Sequence, residues 1–355
     1  VSTLTTYLEP SNHAPHLLVA SMSPARRREV LRGLEDGSVS LVVGTHALFQ
    51  EKVVYQNLGL VVVDEQHRFG VAQRSALTGK GRAPHLLVMT ATPIPRSLAL
   101  TVYGDLDLSI IDELPPGRGS IRTEIRGASA REKVFRFLRE EIADGGRVFL
   151  VYPLIEASEE IPAAAVEEHE EEVRRLLPGA SIGVVHGRMN RDRREEVTTA
   201  FRNGDIQALL ATTVIEVGVD VPEASVMVIE SAQRFGLSQL HQLRGRVGRG
   251  VRKSWCILLI DDHVTQEARQ RLEVVCGSND GFEIAEADLE IRGPGQLTGT
   301  RQWGPAGFRF ANLVRDLDLI AATRDLASEF ARIGLLPEIR GNLAIYHPVE
   351  SILHG

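Results

Sequence analysis

Short apolar runs of strand length alternate with stretches of helical period from the start of the chain to about residue 275. The predicted strands are residues 16–20, 41–44, 60–63, 85–89, 147–152, 182–185, 207–211, 225–229 and 254–260. Several intervening segments carry helix punctuation. Ser23 and Pro24 read as N-cap and first-turn proline, Val30, Leu31 and Leu34 as an apolar stripe, and Gly37 as a stop. Ser129 with Glu132 reads as a capping box ahead of Val134, Phe135, Leu138 and Ile142. Strands that are apolar throughout and separated by crossover helices imply parallel sheets covered on both faces, hence an α/β fold.

The clearest linker is residues 113–120 (ELPPGRGS), where two prolines and two glycines interrupt both periodicities. It separates an α/β unit at 1–114 from a second at 121–275, and beyond 276 glycine-rich turns and amphipathic helices form a smaller module. Val166, Val173, Leu176 and Leu177 share one face of a helix that ends at Pro178 and Gly179. Residues 156–172 hold eight glutamates without a lysine or arginine, which reads as a solvated face. The opening residues show no helix start or strand of their own, so the chain reads as beginning inside a domain.

Composition narrows the class. In 355 residues, 43% hydrophobic and 25% charged, neither disorder nor a fibrous repeat is expected. No run reaches the roughly 20 apolar residues of a membrane helix, and no targeting leader is visible. Cys256 and Cys276 have no C-x-x-C spacing, so neither a disulfide framework nor a zinc site is indicated and a reducing, cytoplasmic setting fits. His13, His16, His169 and His263 likewise show no metal spacing. Net charge is −7, and of 40 basic residues only four are lysines. Any nucleic acid must therefore be held by a local surface rather than by the overall field.

Two clusters carry candidate chemistry. Val61, Val62 and Val63 lead into Asp64, Glu65, Gln66 and His67, an apolar strand ending in adjacent carboxylates. Ligands of open α/β sheets bind beyond the carboxyl ends of strands, which places Asp64 to hold Mg²⁺ and Glu65 to orient an attacking water. The competing reading is a strand end with exposed acids. The second cluster runs from Gln242 through Arg246 to Arg249. Their spacing of three puts both arginines on one helical face, suited to the charge that spreads over a transferring phosphoryl group. A solvated basic helix is the plainer alternative. Gly44-Thr45-His46, Thr90-Ala91-Thr92, His186-Gly187-Arg188 and Ala211-Thr212-Thr213 each follow a predicted strand. Small hydroxyl residues and backbone N–H groups there can grip phosphates without a large positive charge.

VVVDEQHRFG (61–70), VMTATPIPRSLALTVYGDLD (88–107), ATTVIEVGVDVP (211–222) and LSQLHQLRGRVGRG (237–250) together resemble motifs II, III, V and VI of superfamily 2 helicases. IIDELPPGR (110–118) and GFEIAEADLEIRGPGQLTGTRQWG (281–304) are similar to RecG-type branched-DNA helicases. The resemblance covers about residues 20–310. It implies two RecA-like parallel-sheet units, the first incomplete, plus the small helical and loop module at the carboxy terminus. It further implies a cytoplasmic, monomeric bacterial motor that uses ATP and Mg²⁺ to move on double-stranded DNA and remodel forks and Holliday junctions. Carried over by residue, Asp64 and Glu65 are the metal-holding and water-activating acids, with Gln66 and His67 linking nucleotide state to the cleft. Thr90 and Thr92 resemble the coupling motif; Gly218, Asp220 and Gln242 lie near the nucleotide; Arg246 and Arg249 are sensor and finger. Thr212 and Thr213 face the DNA backbone, and Arg292, Gly293, Gly295 and Arg301 fall in the element that transmits motion to it; Gly44, Thr45, His46, His186, Gly187 and Arg188 remain the DNA-side candidates of the strand-end reading.

One departure stands out: a phosphate-cradling G-x-x-x-x-G-K-[ST] is absent, since Gly79-Lys80 is followed by Gly81 and Arg74 occupies the first glycine position. Nothing resembles the family's wedge domain either. The expectation is therefore a carboxy-terminal part of a longer protein that by itself binds ATP poorly. A transcription-repair coupling translocase and an ATPase-dead DNA-binding module are the alternative readings. A dinucleotide-binding enzyme is disfavoured because no G-x-G-x-x-G follows a strand.

Overall fold

The computed structural model describes residues 2–11, 13–65, 79–81, 83–90, 106–111, 113, 119–153, 163–212, 221–250, 252–292 and a few positions between 316 and 330. The chain divides into two compact units, residues 1–92 and 93–355.

In the first unit, α1 (Ser2–Leu8) precedes β1 (Pro15–Leu18), α2 (Pro24–Asp36), β2 (Leu41–Gly44), β3 (Leu60–Val63) and β4 (His85–Val88). β1 pairs with β2 and β3 with β4, both in parallel. Val30 and Leu34 of α2 bury against Leu18, Ala47 and Val53, which is the stripe expected from the sequence. Ser23 does precede α2, yet its side chain makes no capping hydrogen bond. α1 corrects the reading of a structureless start. Leu4, Tyr7 and Leu8 fall at helical spacing, but seven residues hold only this one repeat, and Leu4 and Tyr7 are exposed, so the pattern is too short to mark a helix in the sequence. The Gly-Lys pair at 79–80 serves the fold. Lys80 Nζ donates to the carbonyl oxygens of Gln50 (2.6 Å) and Val53 (2.8 Å), stapling the loop ahead of β3.

The second unit is built on one six-stranded parallel sheet of order β5-β10-β9-β6-β8-β7. Its strands are β5 (Ile121–Gly127), β6 (Arg147–Val151), β7 (Ile182–Val185), β8 (Ala208–Ala211), β9 (Ala224–Ile229) and β10 (Ser254–Ile260). The helices are α3 (Arg131–Ala143), α4 (Ala163–Leu176), α5 (Arg191–Asn203), α6 (Leu237–Arg244), α7 (Gln266–Gly277) and α8 (Gly281–Arg292). Successive strand residues point to opposite faces. Phe149, Val151, Met227, Ile229 and Leu258 meet Phe201 of α5, Leu240 of α6, Leu272 of α7 and Ile284 of α8. Val148, Leu150, Val226, Val228 and Leu259 meet Phe135 and Leu138 of α3 and Val173 of α4. Each such buried side chain contributes about 1.5–3 kcal/mol, so two-sided burial holds the sheet.

β5 is absent from the sequence-based reading. It alternates Ile121, Thr123 and Ile125 with Arg122, Glu124 and Arg126, the pattern of a sheet edge with one face toward solvent. Arg122 pairs with Glu124 at 2.6 Å and lies over the Trp255 ring at 5.0 Å. The capping box at Ser129 is also not formed. Residues Ala128–Ala130 make a turn of 3₁₀ helix, so α3 begins at Arg131 behind Ala130, where no side chain caps it. The linker at 113–120 falls largely outside the described residues, as does most of the chain beyond 292.

Candidate functional site

β3 delivers its acids at the carboxyl end of a parallel pair. Asp64 is exposed and Glu65 half-buried, and the Glu65 amide N–H donates to Asp64 Oδ1 at 2.9 Å. Glu65 has φ 54°, a left-handed conformation that costs a non-glycine residue of order 1 kcal/mol or more and that clusters at functional sites. Val63 lies in register with Val88, and the Met89 amide donates to the Val63 carbonyl oxygen at 2.8 Å. Thr90 therefore leaves β4 at the same sheet edge as Asp64 and Glu65. Carboxylate oxygens fit a hard cation, which uses only one or two of them when phosphates and waters complete its shell. Among the described residues no group of three His, Cys, Asp or Glu side chains is gathered as an all-protein metal cage. Gln66, His67 and Thr92 lie outside the described residues.

Gly44 ends β2 opposite Leu18 of β1, and a Cβ there would collide with the Leu18 carbonyl oxygen. The close pairing of the two strands thus accounts for this glycine. Thr45 and His46 are exposed at the start of the 3₁₀ turn His46–Phe49 that follows.

In the second unit, the carboxyl ends of β6, β7, β8, β9 and β10 present Tyr152, His186, Thr212, Glu230 and Asp261 in one row of parallel strands. His186 is followed by exposed Gly187 and Arg188, and Arg194 Nη2 holds the turn through the Gly187 and Met189 carbonyl oxygens at 3.3 and 3.4 Å. Burial first, then the charges of Arg188 and Arg194, push the His186 pKa below its ordinary 6.5. An NMR titration is expected to place its midpoint below that of a free histidine, and Arg194→Met is expected to raise it. Because the folded state disfavours the imidazolium, this group's contribution to stability is full above pH 6.5 and is lost as pH falls. Thr212 is only 7% exposed, and its hydroxyl has no hydrogen-bond partner among the described residues. Thr213, Gly218, Asp220, Gly293, Gly295 and Arg301 lie outside those residues, and Arg292 is described only as the last residue of α8.

The geometry expected of the arginines needs correction. Arg246 and Arg249 do not share a helical face, because α6 ends at Arg244 with Gly245 as its C-cap. Gly248 then turns the chain with φ 77°, a left-handed conformation suited to glycine. Both arginines emerge from this turn, Arg246 half-buried and Arg249 exposed, with Arg249 Nε donating to the Gly245 carbonyl oxygen at 3.1 Å. Gln242 lies half-buried on α6.

The fold also reveals polar residues that the motifs did not. Arg244, 2% exposed, donates to the carbonyl oxygens of Val275 (2.6 Å) and Ser278 (2.7 Å), fastening α6 to the end of α7. Arg131 Nη1 pairs with Glu230 Oε1 at 2.6 Å, while its Nη2 reaches Glu172 Oε2 at 3.1 Å and donates to the Tyr152 hydroxyl at 3.3 Å. His169 stacks on Tyr152 with ring centroids 4.2 Å apart. A usable signal existed for Glu230, which follows VMVI as Asp64 follows VVV.

Comparison with known proteins agrees with this layout. A DEAD/DEAH box helicase model matches residues 1–101, a helicase conserved C-terminal domain matches 131–251, and the C-terminal part of domain 3 of ATP-dependent DNA helicase RecG matches 278–334. ATP-dependent DNA helicase RecG of Synechocystis sp. is 53% identical over 88% of this chain and 37% of that protein. The Escherichia coli O157:H7 RecG is 48% identical over 90% of this chain and 47% of that protein. The structure of RecG bound to a three-way DNA junction is 43% identical, with a TM-score of 0.68 over 90% of this chain and 41% of that one. The DUF1998 helicase MrfA bound to DNA, 18% identical with a TM-score of 0.58, shares the fold. The chain thus spans 37–47% of the length of these curated relatives. With about half its residues identical to theirs across nine tenths of its length, and with the RecG-specific module following the helicase C-terminal domain, the chain matches a part of ATP-dependent DNA helicase RecG.

Proposed function

We propose that the complete protein is an ATP-driven translocase that remodels branched duplex DNA, such as forks and Holliday junctions, in recombination and repair. The observation that carries this reading is the 43% identity, over 90% of this chain, to a RecG structure bound to a three-way junction. Asp64 holds Mg²⁺ directly or through water, and Glu65 orients the water that attacks the γ-phosphorus. The cation's contribution when bound is to neutralise charge on the phosphate oxygens. Arg246 and Arg249 stabilise the negative charge on the oxygens of the transferring phosphoryl group, while Gln242, Gly218 and Asp220 contact the nucleotide. Thr90 and Thr92 couple nucleotide state to DNA. Gly44, Thr45, His46, His186, Gly187, Arg188, Thr212, Thr213, Arg292 and Arg301 serve the DNA side. Support comes from the location of Asp64, Glu65 and Thr90 at one sheet edge, where α/β folds bind ligands.

The test is ATP hydrolysis by the complete protein with a three-armed junction, with linear duplex and without DNA. The junction is expected to stimulate most; hydrolysis indifferent to all DNA overturns the reading.

A further inference from the structure

The connection between β9 and α6 contains a local conflict that the surrounding structure resolves. Ser231 adopts φ 45° and ψ 48°, left-handed values that side chains other than glycine and asparagine rarely take. Ala232 and Phe235 then turn inward and are buried, and Gly236 begins α6 with its amide donating to Gln239 Oε1 at 3.2 Å. Only six residues separate Glu230 from Leu237, so the direction set at Ser231 decides where α6 starts.

The carboxylate of Asp261 grips the side chains of this bend, while Arg271 Nη2 donates to the Gln233 carbonyl oxygen at 3.5 Å. Asp261, immediately after β10, accepts from the Ser231 hydroxyl at 2.8 Å through Oδ1 and from Gln233 Nε2 through Oδ2. Its own amide donates to Gln233 Oε1 at 3.4 Å, and Arg234 approaches it at 4.0 Å. Asp261 thus grips three residues of the connection at once, which is the over-determination a strained conformer needs to persist. On the other side of the bend, Glu230 is tied to Arg131. α6 is eight residues long, about 12 Å, and leads directly into the turn that presents Arg246 and Arg249.

We propose that Asp261 is a positioning residue for ATP hydrolysis: by holding Ser231 left-handed it sets the start of α6 and, through that helix, the placement of Arg246 and Arg249. This rests on the reading of those arginines as nucleotide-facing. A glycine at 231 adopts the same conformation without strain, so it removes the need for the grip. That makes the role separable from general stability.

The experiment uses the complete protein with saturating junction DNA. Asp261→Ala is expected to lower kcat about tenfold with KM for ATP within twofold, and Asp261→Asn, which keeps an acceptor for Ser231, to stay within threefold of the parent. Asp261→Ala combined with Ser231→Gly is expected to recover to within threefold. Amide hydrogen exchange between residues 232 and 240 is expected to quicken in Asp261→Ala and to slow again in the double variant. Unchanged kcat in Asp261→Ala, or a double variant as slow as the single one, overturns the proposal. If the parent shows no DNA-stimulated hydrolysis, the functional reading falls and this role with it. If the parent and Arg249→Ala hydrolyse ATP equally, only the assignment of Arg249 is lost through that comparison, and the double variant still decides whether the grip at Asp261 governs turnover.

Discussion

Arg249→Ala in the complete protein is expected to lower DNA-stimulated ATP hydrolysis by about 10³-fold while leaving the melting transition nearly unchanged, since a guanidinium facing a transferring phosphoryl group is worth about 10³–10⁵ in rate. Arg249 is exposed and its Nε donates to the carbonyl oxygen of nearby Gly245, so its removal opens no buried cavity. Arg249→Lys is expected to recover little, because an ammonium lacks the planar fork that spans two phosphate oxygens. Glu65→Gln, nearly isosteric, is expected to give a loss of similar order, because a neutral amide replaces the charged carboxylate that orients and polarises water. Steady-state hydrolysis with saturating junction DNA, beside thermal melts, checks both variants. Normal turnover in either one would remove that residue from the catalytic group.

The second large effect is on stability, at the Arg131–Glu230 pair. Truncating one partner of a fully buried pair costs about 3–5 kcal/mol, because the other charge is left uncompensated. Arg131 retains 27% of its side-chain exposure and Glu230 only 9%, so Arg131→Met is expected to cost about 2–3 kcal/mol at pH 8. Burial already pushes the Glu230 carboxyl above its ordinary 4.5, with Arg131 opposing that rise and Glu172 and Asp261 adding to it. Without Arg131 the carboxyl rises further. A raised acid favours the folded state below its unfolded pKa, and that benefit is lost as pH rises through the folded value. The variant is therefore expected to be closest to the parent near pH 4.5 and to fall behind it as pH rises. Arg131→Met with Glu230→Leu is expected to recover most of the loss at pH 8, since no charge remains buried. Urea unfolding at pH 5 and pH 8 measures both, and a pH-independent deficit would show that packing rather than charge is what Arg131 supplies.

How much of this was legible in the sequence depended on whether the determining contact was local. The central strands β6, β8, β9 and β10 announce themselves because they are buried on both faces, and a run such as RVFLV or SWCILLI has few other stable fates. β5 was hidden for the converse reason, since its charged residues are ion-paired to one another on the open side of a sheet edge. The acids after β3 were legible because a parallel strand of that kind delivers its next residues to the ligand-binding edge whatever the details. The arginines of residues 242–249 were legible as chemistry but not as geometry. Their spacing suggested one helical face, whereas Gly245 and Gly248 end the helix and turn the chain before both can lie on it.

Residue order alone therefore determined the α/β class and the parallel pairing and singled out the candidate chemistry-bearing side chains, because two-sided burial and period are properties of neighbours along the chain. Only tertiary structure decided that Glu230 meets Arg131, that Arg244 fastens α6 to α7, and that Asp261 restrains Ser231. Those partners lie 30 to 99 positions apart in sequence. Their encounter follows from the strand order of the sheet and from the cost of leaving polar groups unpaired beside an apolar core, and no local pattern encodes either.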